Sequence, residues 1–381
     1  MTQEQIALVA ILAGKEYPSN VDWQRIYELS MMQGVAGICL DALANSSSPL
    51  VIPQQLKLKW IGLQLKIEHQ NLQHNQVLYK VITLLTMNEV SVVLLKGQGL
   101  AMEYEHPLHR ICGDIDLYVG TKGYDLARKL FAAQGWLAEG TYHEDVKHLG
   151  FSVDNVMIEL HRYSALIPGR ARNHYFQQWI GEMVEHADCG LYVSAEGAVS
   201  ASALEDGVLV RTMPMIENTV FTFVHLFGHF VSHGVTLRQV MDWMMLMRRL
   251  CSRGIDPLLL ERQLKKIGYL KAWQNFSCLL VRYFGFTQKE IPGYHANYEK
   301  HSERILKLIY EDGEKNNLIV SHADGLKQKS AVLWKSLSDL SRTFRLFPSE
   351  TLLIFFRWLQ NVSLKYRLKL LDKALSKKEF L

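Results

Sequence analysis

Gly113-Asp114-Ile115-Asp116-Leu117-Tyr118-Val119 places two carboxylates two residues apart on a short apolar run. In a β-strand, residues i and i+2 project to one face, with Cα atoms roughly 6.5 Å apart. The stretch therefore predicts a strand with Ile115, Leu117 and Val119 on a buried face and Asp114 and Asp116 on an acidic one. Such a face suits a hard divalent cation, which takes carboxylate oxygens. It equally suits an edge strand whose aspartates simply face water, the ordinary outcome for an isolated Asp-x-Asp. The neighbouring sequence decides between the two.

Upstream, Val90-Ser91-Val92-Val93-Leu94-Leu95 is continuously apolar apart from Ser91 and rich in β-branched residues, which predicts a buried strand. Gly97-Gln98-Gly99 breaks it, and 100–105 predicts a short helix stopped by Pro107. Downstream, Thr121 is placed to cap a helix running through Tyr124, Ala127 and Phe131 to a stop at Gly135. Runs 151–153 and 156–161, joined by Asp154-Asn155, predict a hairpin. Helix-period apolar residues flank this module at 21–44 and at 54–87, where Pro53 suits a first turn. Further helices are predicted over 217–232, 237–251, 257–267, 270–284, 302–310, 328–346 and 348–375, the last of them broken. The fold class is α+β: a small mixed-sheet module embedded between helical regions. The expected organisation is an N-terminal helical region (1–88), a core (89–215) and a C-terminal helical region with a basic tail (216–381).

The 381 residues allow a sizeable core, and 48% hydrophobic with 21% charged residues is ordinary globular composition. A net charge of +4 gives no global argument for nucleic acid or membrane, and no DNA partner is expected. Basic residues gather beyond Leu326, from Lys327 to Lys378, opposed only by Asp339, Glu350, Asp372 and Glu379. The scattered Cys39, Cys112, Cys189, Cys251 and Cys278 form no C-x-x-C pair, which fits a reducing compartment. Cys112 reads as packing. With no basic n-region at the start and no long apolar run, a cytoplasmic location is expected.

Three carboxylates converge if the module folds this way. Glu159 lies on the second hairpin strand, on the same side as Met157 and His161, and a neighbouring strand sits about 4.8 Å away. Three carboxylates holding one or two Mg²⁺ ions are machinery for phosphoryl or nucleotidyl transfer. Lys96 and Gly97 end one strand and open a helix, so backbone N–H groups there can approach an anion while Lys96 supplies a mobile charge. Arg110, four residues before Asp114, is a second cation for the same anion.

Leu94-Leu95-Lys96-Gly97, Arg110 with Asp114-Ile115-Asp116-Leu117, and Ile158-Glu159-Leu160-His161 together resemble the polymerase-β-like nucleotidyltransferase superfamily. More closely, they resemble a bacterial family of uncharacterised nucleotidyltransferases. His148, the group His225/His229/His233 with Arg238 and Asp242, and Gln33-Gly34-Val35-Ala36-Gly37 also match. One departure stands out: most superfamily members carry Gly-Ser where this chain has Lys96-Gly97. The resemblance implies transfer of a nucleoside monophosphate from an NTP such as ATP to a hydroxyl on a small molecule, protein or RNA, with Mg²⁺ (or Mn²⁺) as cofactor. It implies Asp114, Asp116 and Glu159 as metal ligands, with Glu159 also helping to activate the acceptor hydroxyl. Lys96, Gly97 and Arg110 would hold the triphosphate, and His161 would orient Glu159 or contact the acceptor.

His225, His229 and His233 lie at i, i+4 and i+8 on a predicted helix, without the H-E-x-x-H of a zinc hydrolase. They read as lining the cleft floor or as buried and hydrogen-bonded. Arg238 and Asp242 read either as a solvated i,i+4 pair or as a helix face packed on the module. The apolar 346–359 followed by the basic 365–378 fits a core helix and a solvated cationic helix, or an interfacial helix touching an anionic membrane or polyanion. Two other readings remain: a catalytically silent nucleotide-binding scaffold, and a peripheral membrane adaptor acting through the tail.

Overall fold

The structure, a computed structural model, describes residues 1–46, 52–186, 190–232, 234–254, 256–319 and 341–353. The chain opens with α1 (Gln3–Leu12), α2 (Trp23–Met32) and α3 (Ala36–Ala44), followed by the long α4 (Gln54–Met87). Helix α4 has the bounds that its apolar period predicts. Its N-terminal half packs on α3, where the Trp60 indole donates to the Ala36 carbonyl at 2.9 Å. Its C-terminal half lays Val77, Leu78, Val81, Ile82 and Leu85 under a sheet. Between the halves, buried Asn71 donates to the carbonyls of Leu108 and Arg110, and buried Asn75 donates to that of Gly197.

The sheet holds β1 (Val93–Leu94), then after the one-turn helix α5 (Gln98–Ala101) comes β2 (Ile115–Tyr118). Helix α6 (Gly120–Ala133), β3 (His143–Glu144), β4 (His148–Val153) and β5 (Val156–His161) follow. The strand order is β1-β2-β5-β4-β3, with β2 and β5 parallel and the other pairs antiparallel. The hairpin stands where it is predicted, and Asp154 and Asn155 both take positive φ (50° and 63°), as a two-residue turn of this twist requires. One sheet face buries Leu94, Ile115, Leu117, Leu149, Phe151, Ile158 and Leu160 against α4 and α6. Asp116 and Tyr118 lie on the opposite face, toward the C-terminal helices.

Four local expectations are corrected. The strand predicted over 90–95 forms a ladder only at Val93–Leu94, although Val90, Val92 and Leu95 are buried. The helix predicted at 100–105 starts at Gln98 and ends at Ala101. Helix α6 begins before Thr121, with Val119 at the cap position and no side-chain cap. The helix predicted over 302–310 continues as α12 (Ser302–Ile319), with glycine at 313 because Gln33 packs where a side chain there would stand.

Between the module and the later helices lie α7 (Arg170–His186) and a three-stranded sheet of β6 (Gly190–Val193), β7 (Val199–Ser200) and β8 (Val208–Arg211), none of them predicted. Then come α8 (Met215–Ser232), α9 (Leu237–Ser252), α10 (Pro257–Ile267) and α11 (Leu270–Phe284), close to prediction. Phe223, Trp243, Trp273 and Phe276 form an aromatic core among them. His233, most of 328–346, most of 348–375 and the basic 365–378 lie outside the described residues. Within 341–353, Leu346 and Phe347 are buried, the latter against Phe227. Among the described residues no helix is long and apolar enough to cross a membrane.

Candidate active site

The parallel β2–β5 register sets Asp116 directly beside Glu159. Asp114, just before β2, joins them, and one carboxylate oxygen from each lies within 4.8 Å of the others. Three like charges so close repel unless cations answer them. Burial and the neighbouring Asp116 push the Asp114 carboxyl above its ordinary range. Asp116, 1% exposed, behaves differently. Burial opposes its ionisation, but Lys96 and His161 prevail and hold its carboxyl well below the usual range.

Both of those partners come from positions that the sequence reading singles out. Lys96 Nζ is 3.0 Å from Asp116 Oδ2 and 3.2 Å from His225 Nε2. Gly97 follows with φ +53°, and a Cβ there would meet the carbonyl of Asp114 at 3.4 Å. A left-handed residue at a close approach favours glycine. His225 is half-buried, and desolvation together with the adjacent Lys96 pushes its imidazole well down, leaving a neutral ring to accept from the ammonium. His161 Nε2 donates to Asp116 Oδ1 at 2.9 Å and sits 3.2 Å from Glu159 Oε2. Glu159 is lowered against burial by that same hydrogen-bonding ring.

Arg110 and Asp242 meet although far apart in sequence. The Arg110 fork donates from Nε at 2.7 Å and Nη2 at 2.6 Å to the two oxygens of Asp242, and Tyr104 donates a third hydrogen bond. Asp242 is 4% exposed, so α9 packs on the module and the solvated-pair reading is replaced. Arg238 donates instead to the Ile111 carbonyl at 3.1 Å. Cys112 is half-buried beside Arg110, its thiol pushed up chiefly by burial, in keeping with a packing role.

The Gln33–Gly37 stretch acquires a physical explanation here. Gln33 accepts from the Leu237 N–H and donates toward the Ile309 and Tyr310 carbonyls in the middle of α12. A side chain at Gly37 would overlap the carbonyl of His109. Together these contacts seat the N-terminal helices against the turn that carries Arg110 and the start of the helix that carries Arg238.

A cleft of about 370 Å³ collects Lys96, Gly97, Arg110, Asp114, Asp116, His148, Glu159, His225, His229, Arg238 and Asp242. His161 lies behind it, against Asp116. Every sequence-derived candidate among the described residues is thus in the cleft wall or touching it. His225 and His229 stack edge to face at 4.4 Å. The cleft also holds Lys147, which the sequence reading missed. Asp145 accepts hydrogen bonds from the N–H groups of Lys147 and His148, pinning a bend that turns the lysine inward. Burial, then repulsion from Lys96, lowers its ammonium pKa. The Asp-x-Lys-His spacing of that turn was the available signal.

A family described as uncharacterised nucleotidyltransferase matches residues 19–285. No curated protein and no solved structure matches the chain. The match spans both walls of the cleft, from the Gln33 stretch to α11, and the chain belongs to that family.

Proposed function

We propose that this nucleotidyltransferase moves a nucleoside monophosphate from an NTP to an acceptor hydroxyl with a divalent cation, Mg²⁺ or Mn²⁺, held by Asp114, Asp116 and Glu159. The observation that carries the reading is the convergence of these three carboxylates on paired parallel strands. The donor set fits: three oxygens of formal negative charge suit a hard ion. Such an ion would lower the pKa of the attacking hydroxyl and steady charge on the leaving pyrophosphate.

The chain's own residues do the rest. Lys96, paired with Asp116, and Lys147 line the cleft beside the carboxylates and hold the triphosphate, with Arg238 also in the cleft wall. Arg110, its fork already on Asp242, lends the phosphates its field and keeps the wall in place. His161 holds the Asp116 and Glu159 oxygens in orientation by bridging them. Glu159, less buried than Asp116, accepts the proton of the acceptor hydroxyl as that oxygen bonds to the α-phosphorus and the bond to pyrophosphate breaks.

A thermal-shift panel of the four NTPs with Mg²⁺ tests this, on wild type and on the Asp114→Asn/Asp116→Asn double variant. A ligand at 100 times its Kd stabilises the folded state by about 2.7 kcal/mol. A metal-dependent shift with one NTP, lost in the double variant, is expected. No shift with any NTP would favour a silent scaffold that retains the fold.

A further inference from the structure

We propose that the centre is a mixed imidazole–carboxylate site, in which His148, His161 and Glu159 bind a first-row transition ion beside the all-oxygen site. In the antiparallel β4–β5 ladder His148 stands directly opposite His161, so both rings project from one sheet face. Their centroids are 5.3 Å apart with 31° between planes. Glu159, two residues before His161 on the same strand, shares that face. His148 Nε2 is 3.5 Å from Glu159 Oε1, and His161 Nε2 is 3.2 Å from Glu159 Oε2.

One ligand atom from each of the three lies within 4.8 Å of the others. Ligands bonded at about 2.1 Å in a tetrahedral site stand roughly 3.4 Å apart, so little movement closes the site. Two imidazoles with one carboxylate form a donor set for Zn²⁺ or Mn²⁺, whereas Mg²⁺ takes oxygen.

The surroundings of His148 match a ligand's. Its Nδ1 is buried, makes no hydrogen bond, and lies 3.5 Å from the Asp145 carboxylate, a small shift from one. That carboxylate is itself fixed by two backbone N–H groups. A metal-ligating imidazole is commonly oriented through its other nitrogen by a carboxylate in this manner. Cation binding at His161 displaces the Nε2 proton, to Nδ1 or to water, and the interaction with Asp116 then passes through the ion. Glu159 belongs to both donor sets, so its carboxylate bridges the two positions, as in two-metal sites with ions about 3.5–4 Å apart.

The inference touches the proposed transfer reaction through the shared Glu159 and His161, and its test does not depend on turnover. The full chain, stripped with chelator, is titrated with Mn²⁺ and examined by pulsed EPR for ¹⁴N modulation from coordinated imidazole, and with Zn²⁺ by calorimetry. Two imidazole couplings are expected in wild type. His148→Gln should remove one coupling and weaken Zn²⁺ binding by at least about ten-fold while Mg²⁺ affinity stays nearly constant. Asp114→Asn should do the reverse, keeping the ¹⁴N couplings and losing Mg²⁺. Mn²⁺ bound to saturation in wild type without ¹⁴N modulation would overturn the mixed site and leave the all-oxygen reading standing. Failure to bind Mn²⁺, Zn²⁺ or Mg²⁺ would overturn both. Should His148→Gln not fold, the wild-type spectrum alone decides.

Discussion

Asp116 and Asp242 are both buried aspartates on the wall of one cleft, each beside a cation, yet their partners differ in kind. Asp242 receives the planar fork of Arg110 at two oxygens and a hydroxyl from Tyr104. Asp116 faces a flexible ammonium at 3.0 Å and a shared imidazole, with Asp114 and Glu159 crowding it. A bidentate arginine pair has fixed geometry and spends the acceptor's lone pairs. A lysine is a point charge on a mobile stem. The first arrangement is closed and holds α9 to the module. The second is open, because its cations can be exchanged for others.

This contrast is broken most severely at the closed pair. Asp242→Ala leaves the Arg110 guanidinium buried and unanswered, and should cost about 3–5 kcal/mol in urea unfolding. Arg110→Met/Asp242→Leu should recover much of that loss, since replacing both partners removes the orphan charge. If the single and double variants were equally unstable, the pair would not be what holds α9.

At the open pair the expected loss is in activity. Asp116→Asn should lower kcat by about 10²–10³-fold or more, as when an electrostatic stabiliser of the transition state is removed. The variant should still fold but lose some stability at neutral pH, because attraction to Lys96 and His161 outweighs the repulsion from two carboxylates that vanishes with it. The variant should also flatten the acid limb of stability against pH. The folded Asp116 pKa lies below the unfolded value of about 3.9, so its contribution is present above that pH and is lost as pH falls toward the folded value.

Smaller effects are expected at the cations. Lys96→Met should raise KM for the NTP by roughly ten-fold and leave Asp116 harder to ionise. Lys147→Ala should raise KM by a few-fold at most, and equal losses at both lysines would mean that Lys96 has no special place beside Asp116.

The strand carrying Asp116 and the hairpin carrying Glu159 were legible because their signals are local. Alternating apolar residues and a two-residue Asp-Asn turn each fit within a few positions. Helices α4, α10 and α11 were legible for the same reason. Helix α7 was not, since its polar composition blurs the period, and β6 to β8 are short strands that depend on partners rather than pattern. The Arg110–Asp242 pair escaped prediction because 132 residues separate its members, and the nearer Arg238 offered a plausible local partner. Lys147 escaped because its one local signal, Asp145 two residues before it, marks a bend without saying which way the lysine turns.

Helix α4 carries Asn71 and Asn75 one turn apart, the first tied to the loop before β2 and the second to the turn between β6 and β7. Mechanically this makes the helix a shared axle. A slip of one residue would swing both amides by about 100° and release both tethers at once. The cleft wall at Arg110 and the small sheet far along the chain are thereby hung on one helix, whose register sets both.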